Sequence, residues 1–168
     1  MRAVLSIGSN MNDRLALLQL AYDAFSSELV IASSIYSTPP WGVEDQDDFL
    51  NAILVVDTAL EPYSLLEKAH DVEQQAERCR VQKWGPRTLD IDIVQCSDAN
   101  AELTSTDPVL TLPHPWAHQR AFVLVPWLEV EPDAMLLGKQ VRALVAQMPA
   151  DNVAEVRKVG SFQAGLTV

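Results

Sequence analysis

Hydrophobic positions recur at two spacings along the chain, and these spacings predict strands and helices in turn. An apolar run over 3–7 predicts a buried strand, ended by a turn over 8–10. A helix capped by Asn12 or Asp13 is predicted next, because apolar residues then recur at helical spacing, at Leu15, Leu18, Tyr22 and Phe25. The remaining elements of the first half are predicted strands over 29–37 and 49–58, a helix with Pro62 in its first turn, and a strand over 89–96.

The predicted order, strand-helix-strand-strand-helix-strand, is that of a ferredoxin-like sandwich. Such a fold has an antiparallel sheet covered by helices on one face, so we predict the class α+β. Beyond it we expect a polar loop with a short hairpin over 97–110 and additional C-terminal helices over 117–130 and 141–148. A last strand is predicted near 154–159.

Length and composition favour one globular domain over 1–168, since 168 residues with 48% hydrophobic and 21% charged side chains suffice for a core. The formal net charge of −11 argues against nucleic acid and anionic membranes as partners. The N-terminal apolar run is too short for a signal peptide, and no apolar stretch has the length of a membrane span. Cys79 and Cys96 have no metal-type spacing and are interpreted as reduced thiols, so we expect a cytoplasmic protein.

Two aspartates in the last predicted strand of the sandwich carry the most chemical information. Side chains alternate between the faces of a strand, so Asp90 and Asp92 point the same way. Leu89, Ile91 and Ile93 then face the core. Two neighbouring carboxylates repel each other unless a cation lies between them, and Mg²⁺ commonly shares such ligands with substrate phosphates. The pair therefore predicts a metal site for a phosphorylated ligand.

Four of the twelve basic residues precede this strand within ten positions, at Arg78, Arg80, Lys83 and Arg87. Scarce positive charge concentrated in an acidic protein indicates a local anion, and arginine suits phosphate. A solvated charged loop is the alternative, and an Asp-x-Asp triplet alone also occurs by chance or in glycosyltransferases that bind a nucleotide sugar. The carboxylates and cations together favour a site for polyphosphate and metal.

Two further groups of side chains are able to bind a nucleotide or a flat ring. Prolines stiffen the backbone on both sides of His114, whose imidazole can donate to a phosphate oxygen, and Arg120 follows it. Phe49 and Phe122 are able to stack on a ring, and Asn51 carries both a donor and an acceptor for its edge. Taken singly, His114 and Arg120 are more typical of a surface turn and a helix start, and the aromatic residues are more typical of core packing.

Together the motifs resemble one family, the hydroxymethyl-dihydropterin pyrophosphokinases, over residues 3–132. The segments that carry the resemblance are Ile7-Gly8-Ser9-Asn10, Tyr36-Ser37-Thr38-Pro39-Pro40, Asp48-Phe49-Leu50-Asn51, Trp84-Gly85-Pro86-Arg87-Thr88-Leu89-Asp90-Ile91-Asp92, and Leu112-Pro113-His114-Pro115 with Arg120 and Phe122. Their number and common order make the resemblance specific.

The resemblance implies transfer of the terminal pyrophosphoryl group of ATP to the hydroxymethyl oxygen of a dihydropterin, with release of AMP, in folate biosynthesis. It implies two Mg²⁺ ions held by Asp90 and Asp92, and catalytic roles for Arg78, Arg80, Asp90 and Asp92. The positions that it assigns to ATP are Glu73, Arg78, Trp84, Arg87, Thr111, His114 and Arg120. The positions that it assigns to the pterin are Thr38, Pro39, Trp41, Phe49, Asn51 and Phe122.

Two other hypotheses stay open at this point. The basic loop is one residue shorter than in some family members, which keeps open the alternative of a catalytically weakened module that binds pterin or nucleotide on the same fold. A different Mg²⁺-dependent phosphotransferase with another heterocyclic acceptor is the second. In each case we expect small-molecule ligands and a monomer.

Overall fold

A computed structural model describes residues 1–10, 13–39, 47–78 and 89–164. The first half contains β1 (Arg2–Ser9), α1 (Arg14–Ala24), β2 (Leu29–Ala32), β3 (Ile35–Thr38), β4 (Phe49–Asp57), α2 (Pro62–Arg78) and β5 (Asp90–Asp98). The second half contains β6 (Ala101–Glu102), β7 (Ser105–Asp107), β8 (Leu110–Leu112), a 3₁₀ turn (Ala117–Gln119), α3 (Ala121–Val130), β9 (Met135–Leu136), β10 (Lys139–Gln140), α4 (Val141–Ala146), α5 (Ala150–Ala154) and β11 (Arg157–Gly160).

The main sheet is antiparallel, with the strand order β11-β3-β4-β1-β5-β6 and with β2 also paired to β4. The inner strand β1 pairs with β4 on one side and with β5 on the other. The predicted α+β class and antiparallel ferredoxin-like sheet are therefore confirmed. None of the described helices has the length and apolarity needed to cross a bilayer.

Helices cover both faces of the sheet rather than the one face expected for the sandwich alone. On the first face, Leu5 and Leu54 pack with Leu18 of α1 and Leu65 of α2. On the second face, the additional C-terminal helix α3 packs against the strands. Its side of the core contains Val4, Ile53, Val55 and Val94 from the sheet with Val123, Leu124 and Trp127 from α3. Because Val4, Ile53, Val55 and Val94 make part of the second face apolar as well, the sheet needs cover on both faces.

Two local predictions differ from the structure. Leu15 is 55% exposed, because α1 turns Leu17, Leu18 and Ala21 toward the sheet instead. The predicted strand over 29–37 is two strands, since Ser33 turns its side chain inward and its Oγ accepts a hydrogen bond from Ile53 N at 2.8 Å.

Two other local predictions agree in kind. Asp13 caps α1, its carboxylate accepting from Ala16 N at 3.1 Å. The C-terminal strand is found at Arg157–Gly160, preceded by the short helix α5.

Candidate active site

A cavity of about 560 Å³ opens on the second face of the sheet, where α3 begins. The helix covers only the half of that face that carries Val4 and Ile53. The lining residues are Ser6, Gly8, Thr38, Pro39, Phe49, Asn51, Asp90, Asp92, Trp116, Gln119, Arg120, Ala121, Phe122, Asn152, Glu155 and Val156. Eight of these are site residues predicted from the sequence, so one cavity brings together most of those that the structure describes.

The floor of the cavity is formed by small residues of β1. Gly8 pairs with Asn51 on β4 and with Asp90 on β5, which places Asn51 and Asp90 about 10 Å apart on either side of it. A Cβ on Gly8 would lie 3.0 Å from Asn51 Oδ1. The predicted turn over 8–10 is wrong for its first two residues, because Gly8 and Ser9 belong to β1. Pairing on both sides outweighs their local preference for a turn.

The two aspartates leave β5 on the cavity side, as the alternation predicts. Asp90 is exposed and the side chain of Asp92 is 46% exposed, while Leu89, Ile91 and Ile93 are buried. Arg120 approaches this pair, its Nη1 lying 3.7 Å from Asp92 Oδ2. The site therefore has carboxylates, which can hold a cation, beside a guanidinium, which can bind the polyphosphate that the cation accompanies.

His114 is fixed next to the same charges. The backbone N–H of His114 donates to Val94 O at 2.9 Å, and the backbone N–H of Trp116 donates to His114 Nδ1 at 3.2 Å. Desolvation by burial lowers the pKa of His114, Asp92 raises it and Arg120 lowers it, with a net decrease. The neutral ring therefore carries its proton on Nε2, because Nδ1 is the acceptor. This leaves Nε2–H as a donor for a ligand oxygen.

The other end of the cavity suits a flat ring. Phe49 and Phe122, both partly buried, line it together with Thr38 and Pro39. The buried Asn51 donates from Nδ2 to Thr38 Oγ1 at 2.9 Å, which orients its amide. An oriented amide in a cavity lined by aromatic rings can hydrogen-bond the edge of a heterocycle, and Phe122 also borders the charged end, because Arg120 Cζ lies 5.6 Å from its ring centroid.

Several predicted residues lie elsewhere. Glu73 Oε2 accepts from Ile91 N at 3.4 Å, and Thr111 Oγ1 donates to Asp107 O at 3.0 Å; neither lines the cavity. Four predicted residues fall outside the part of the chain that the structure describes, namely Trp41, Arg80, Trp84 and Arg87. The side chain of Arg78, at the end of α2, falls outside it as well.

Sequence reasoning assigned no role to half of the lining residues, which are Ser6, Gly8, Trp116, Gln119, Ala121, Asn152, Glu155 and Val156. One signal was available, since Ser6 and Gly8 are small residues two positions apart in an otherwise apolar strand. No local pattern marks Asn152, Glu155 or Val156, which reach the cavity through the pairing of β11 with β3.

The donor set fits a magnesium ion that is completed by ligand oxygens. Among the described residues no group of three or more His, Cys, Asp or Glu side chains is arranged to hold a metal ion. Asp90 and Asp92 supply two carboxylates from one face of β5 at the cavity. Mg²⁺ is commonly bound in this way, by one or two carboxylates together with substrate phosphates and water.

The sequence matches the family model described as 7,8-dihydro-6-hydroxymethylpterin-pyrophosphokinase (HPPK) over residues 4–132. It is 45% identical over 161 residues to a 2-amino-4-hydroxy-6-hydroxymethyldihydropteridine pyrophosphokinase of Mycobacterium bovis, covering 89% of this chain and 86% of that one. A protein with the same description from Methylorubrum extorquens is 40% identical, covering 92% of this chain and 98% of that one.

A solved structure supports the fold. The wild-type HPPK-DHPS of Plasmodium falciparum superposes with a TM-score of 0.63 at 15% identity, covering 87% of this chain. This chain spans 44% of the length of that protein. The family model covers well over half of the sequence, and the two bacterial relatives match along most of their length. The chain therefore belongs to the 7,8-dihydro-6-hydroxymethylpterin-pyrophosphokinase family.

Proposed function

We propose that this protein transfers the pyrophosphoryl group of ATP to the hydroxymethyl group of 6-hydroxymethyl-7,8-dihydropterin and releases AMP, a step of folate biosynthesis. The hydroxymethyl oxygen attacks the β-phosphorus, the bond between the α-phosphate and the β-phosphorus breaks, and the hydroxyl proton is lost. The relatives described above are named as pyrophosphokinases, and their names do not favour the alternative of a binding module.

The observation that carries this proposal is the cross-strand row Asn51, Gly8 and Asp90. It sets the backbone positions of an amide for a heterocycle and of a carboxylate for a cation about 10 Å apart, on either side of a residue without a side chain. A flat ring beside Asn51 then has its substituent directed toward the carboxylates. This separation favours an acceptor that carries its reacting hydroxyl one carbon away from the ring.

Bound at Asp90 and Asp92, two Mg²⁺ ions would neutralise charge on the phosphates and polarise the phosphorus that is attacked. The residues around them bind and orient the phosphates. Arg120 and the Nε2–H of His114 donate to phosphate oxygens and stabilise charge as AMP leaves. Asp92 holds Arg120 close to this position before ATP binds.

Acceptor binding is assigned to the ring end of the cavity. Phe49 and Phe122 stack on the two faces of the pterin, and Asn51 hydrogen-bonds its edge. Thr38 and Pro39 complete this pocket, and the resemblance alone adds Trp41 to the residues that contact the pterin. Further roles follow from the resemblance alone: Arg78 and Arg80 act in catalysis, while Glu73, Arg78, Trp84, Arg87 and Thr111 contact ATP.

We also propose that residues 1–168 form a single domain, that the protein acts as a monomer in the cytoplasm, and that its ligands are ATP and the pterin. Size-exclusion chromatography with light scattering tests the monomer.

Incubation of the purified protein with ATP, Mg²⁺ and 6-hydroxymethyl-7,8-dihydropterin tests the reaction. We expect AMP to form only when the pterin is present. Formation of ADP would identify an ordinary kinase, and binding of the pterin without product would identify a binding module.

A further inference from the structure

The C-terminal segment reaches the ring end of the cavity, although it follows the last residue of the family match by about twenty positions. Asn152 and Glu155 lie on and just after α5, Val156 follows, and all three line the cavity with Phe49 and Asn51. The strand β11 pairs with β3, which carries Thr38. In the order β11-β3-β4-β1-β5, the segment therefore lies at the edge opposite the aspartates of β5.

The charges agree with this division of the cavity. Asp90 and Asp92 at the β5 edge are accompanied by Arg120, whereas Glu155 adds a negative charge at the opposite edge. A carboxylate there disfavours a phosphate but can accept hydrogen bonds from the N–H groups of a heterocycle. The half-buried Val156 adds an apolar surface.

The short helix α5 has no buried residue of its own, so its position depends on the strand that follows. Lys158 Nζ of β11 lies 3.0 Å from Glu129 Oε2 on α3. Glu129 also accepts from Ser34 N at 2.7 Å, from Ser34 Oγ at 2.6 Å and from Tyr36 OH at 3.1 Å. One carboxylate thus joins α3, the connection before β3, β3 itself and β11.

Beyond β11 the chain is attached to α1. The rings of Phe162 and Tyr22 stack with centroids 4.9 Å apart and an interplanar angle of 12°. Gln163 N donates to Gln19 Oε1 at 3.1 Å, and Gln19 Nε2 donates to Gln163 O at 2.9 Å. The chain is therefore held within β11 and directly after it, and we infer that this keeps the preceding α5 against the cavity.

We propose that the segment 152–156 is a wall of the acceptor half of the cavity, and that Glu129 is the residue that positions it. The ligand that this wall contacts is a flat heterocycle with N–H donors on its edge, which rests on the proposed function. Val156 determines how large a ring is accepted. Glu129 acts through Lys158 and does not touch the ligand.

The test compares acceptor binding with nucleotide binding in three variants. Val156→Phe should weaken binding of 6-hydroxymethyl-7,8-dihydropterin about tenfold, measured by calorimetry with a non-hydrolysable ATP analogue present, while the Kd of the analogue stays the same. The matched control is Val159→Phe, because Val159 is exposed on β11 and does not line this cavity. An unchanged Kd for the pterin in Val156→Phe would contradict the proposal that the segment 152–156 is a wall of the acceptor half of the cavity.

Glu129→Gln and Lys158→Met test whether Glu129 positions the segment 152–156. The second variant is included in case the first does not fold. Each should raise the KM for the pterin several-fold with kcat and the KM for ATP unchanged, a split that general loss of structure would not produce. Equal losses in all three constants, or no change in folded Lys158→Met, would overturn the role of Glu129. If the wild type forms no AMP, the proposed function fails instead.

Discussion

Gly8 and Asn51 face each other across β1 and β4, and a Cβ on Gly8 would lie only 3.0 Å from Asn51 Oδ1. We therefore expect Gly8→Val to fill the space between the acceptor and the carboxylates. The KM for the pterin should rise about tenfold or more in steady-state assays.

The Asn51 side chain must shift to make room for the new Cβ, but β1 itself should still form, because a β-branched residue suits a strand. Gly160→Val is the control, since nothing lies within 4 Å of a Cβ built at Gly160 on the edge strand. Normal pterin kinetics in Gly8→Val would show that the ring does not lie over this floor.

Asp92→Asn should lower the rate of AMP formation about 100-fold or more, because the amide keeps the shape but removes a charged magnesium ligand worth several kcal/mol. The rate is measured against Mg²⁺ concentration. Asp98→Asn, at the exposed far end of β5, is the matched control and should behave as the wild type. If Asp92→Asn formed AMP at the wild-type rate at low Mg²⁺, the proposed role of Asp92 as a magnesium ligand would be contradicted.

Arg120→Lys should raise the KM for ATP about tenfold, because lysine keeps the charge but loses the planar pair of donors that suits phosphate. Arg142 provides a close control: its Nη1 lies 3.7 Å from Asp133 Oδ1, the same separation as Arg120 from Asp92, but on α4. Arg142→Lys should leave the KM for ATP unchanged. Equal constants for Arg120→Lys and the wild type would contradict a phosphate contact.

Stability should depend on pH through Glu28, which pairs with Lys68 while the Lys68 ammonium lies 4.7 Å from the ring centroid of Phe25. Burial acts to raise the pKa of Glu28, but hydrogen bonds from Lys68 and Thr58 and the charge of Lys68 outweigh it, so the pKa is lowered. A lowered pKa gives stability that is present above the ordinary value of 4.5 and is lost as the pH falls through the folded-state pKa.

Glu28→Gln should lower the free energy of unfolding at pH 7 by about 1–3 kcal/mol, because Lys68 loses a charged partner. Its midpoint of thermal unfolding should also fall less than that of the wild type between pH 6 and pH 3, roughly the range of carboxylate titration. Glu67→Gln, on the exposed side of α2, is the control. Parallel pH profiles for Glu28→Gln and the wild type would rule out this linkage.

Much of the fold could be predicted because its signals are local. Alternation in β5 separated Asp90 and Asp92 from Leu89, Ile91 and Ile93, and the structure keeps that division. Gly8 was misassigned because its preference for a turn is local while its pairing with Asn51 and Asp90 is not.

The least predictable part of the site is its C-terminal wall. Glu155 and Val156 lie more than a hundred residues from Thr38 and Asn51, and they join them only through the pairing of β11 with β3. A strand near 154–159 is predicted, but nothing in its residues signals which strand it pairs with, since it is short and exposed. The positions found through motifs, such as His114 and Arg120, carry their chemistry in the sequence itself.

The most direct measurement follows the β-phosphate of ATP. With ATP labelled with ³²P at the β-position, Mg²⁺ and 6-hydroxymethyl-7,8-dihydropterin, we expect all transferred label to appear in the pterin product and unlabelled AMP to accumulate in equal amount. Asp92→Asn should lower the rate of both signals about 100-fold or more. Label recovered in ADP, with a single phosphate on the pterin, would contradict pyrophosphoryl transfer.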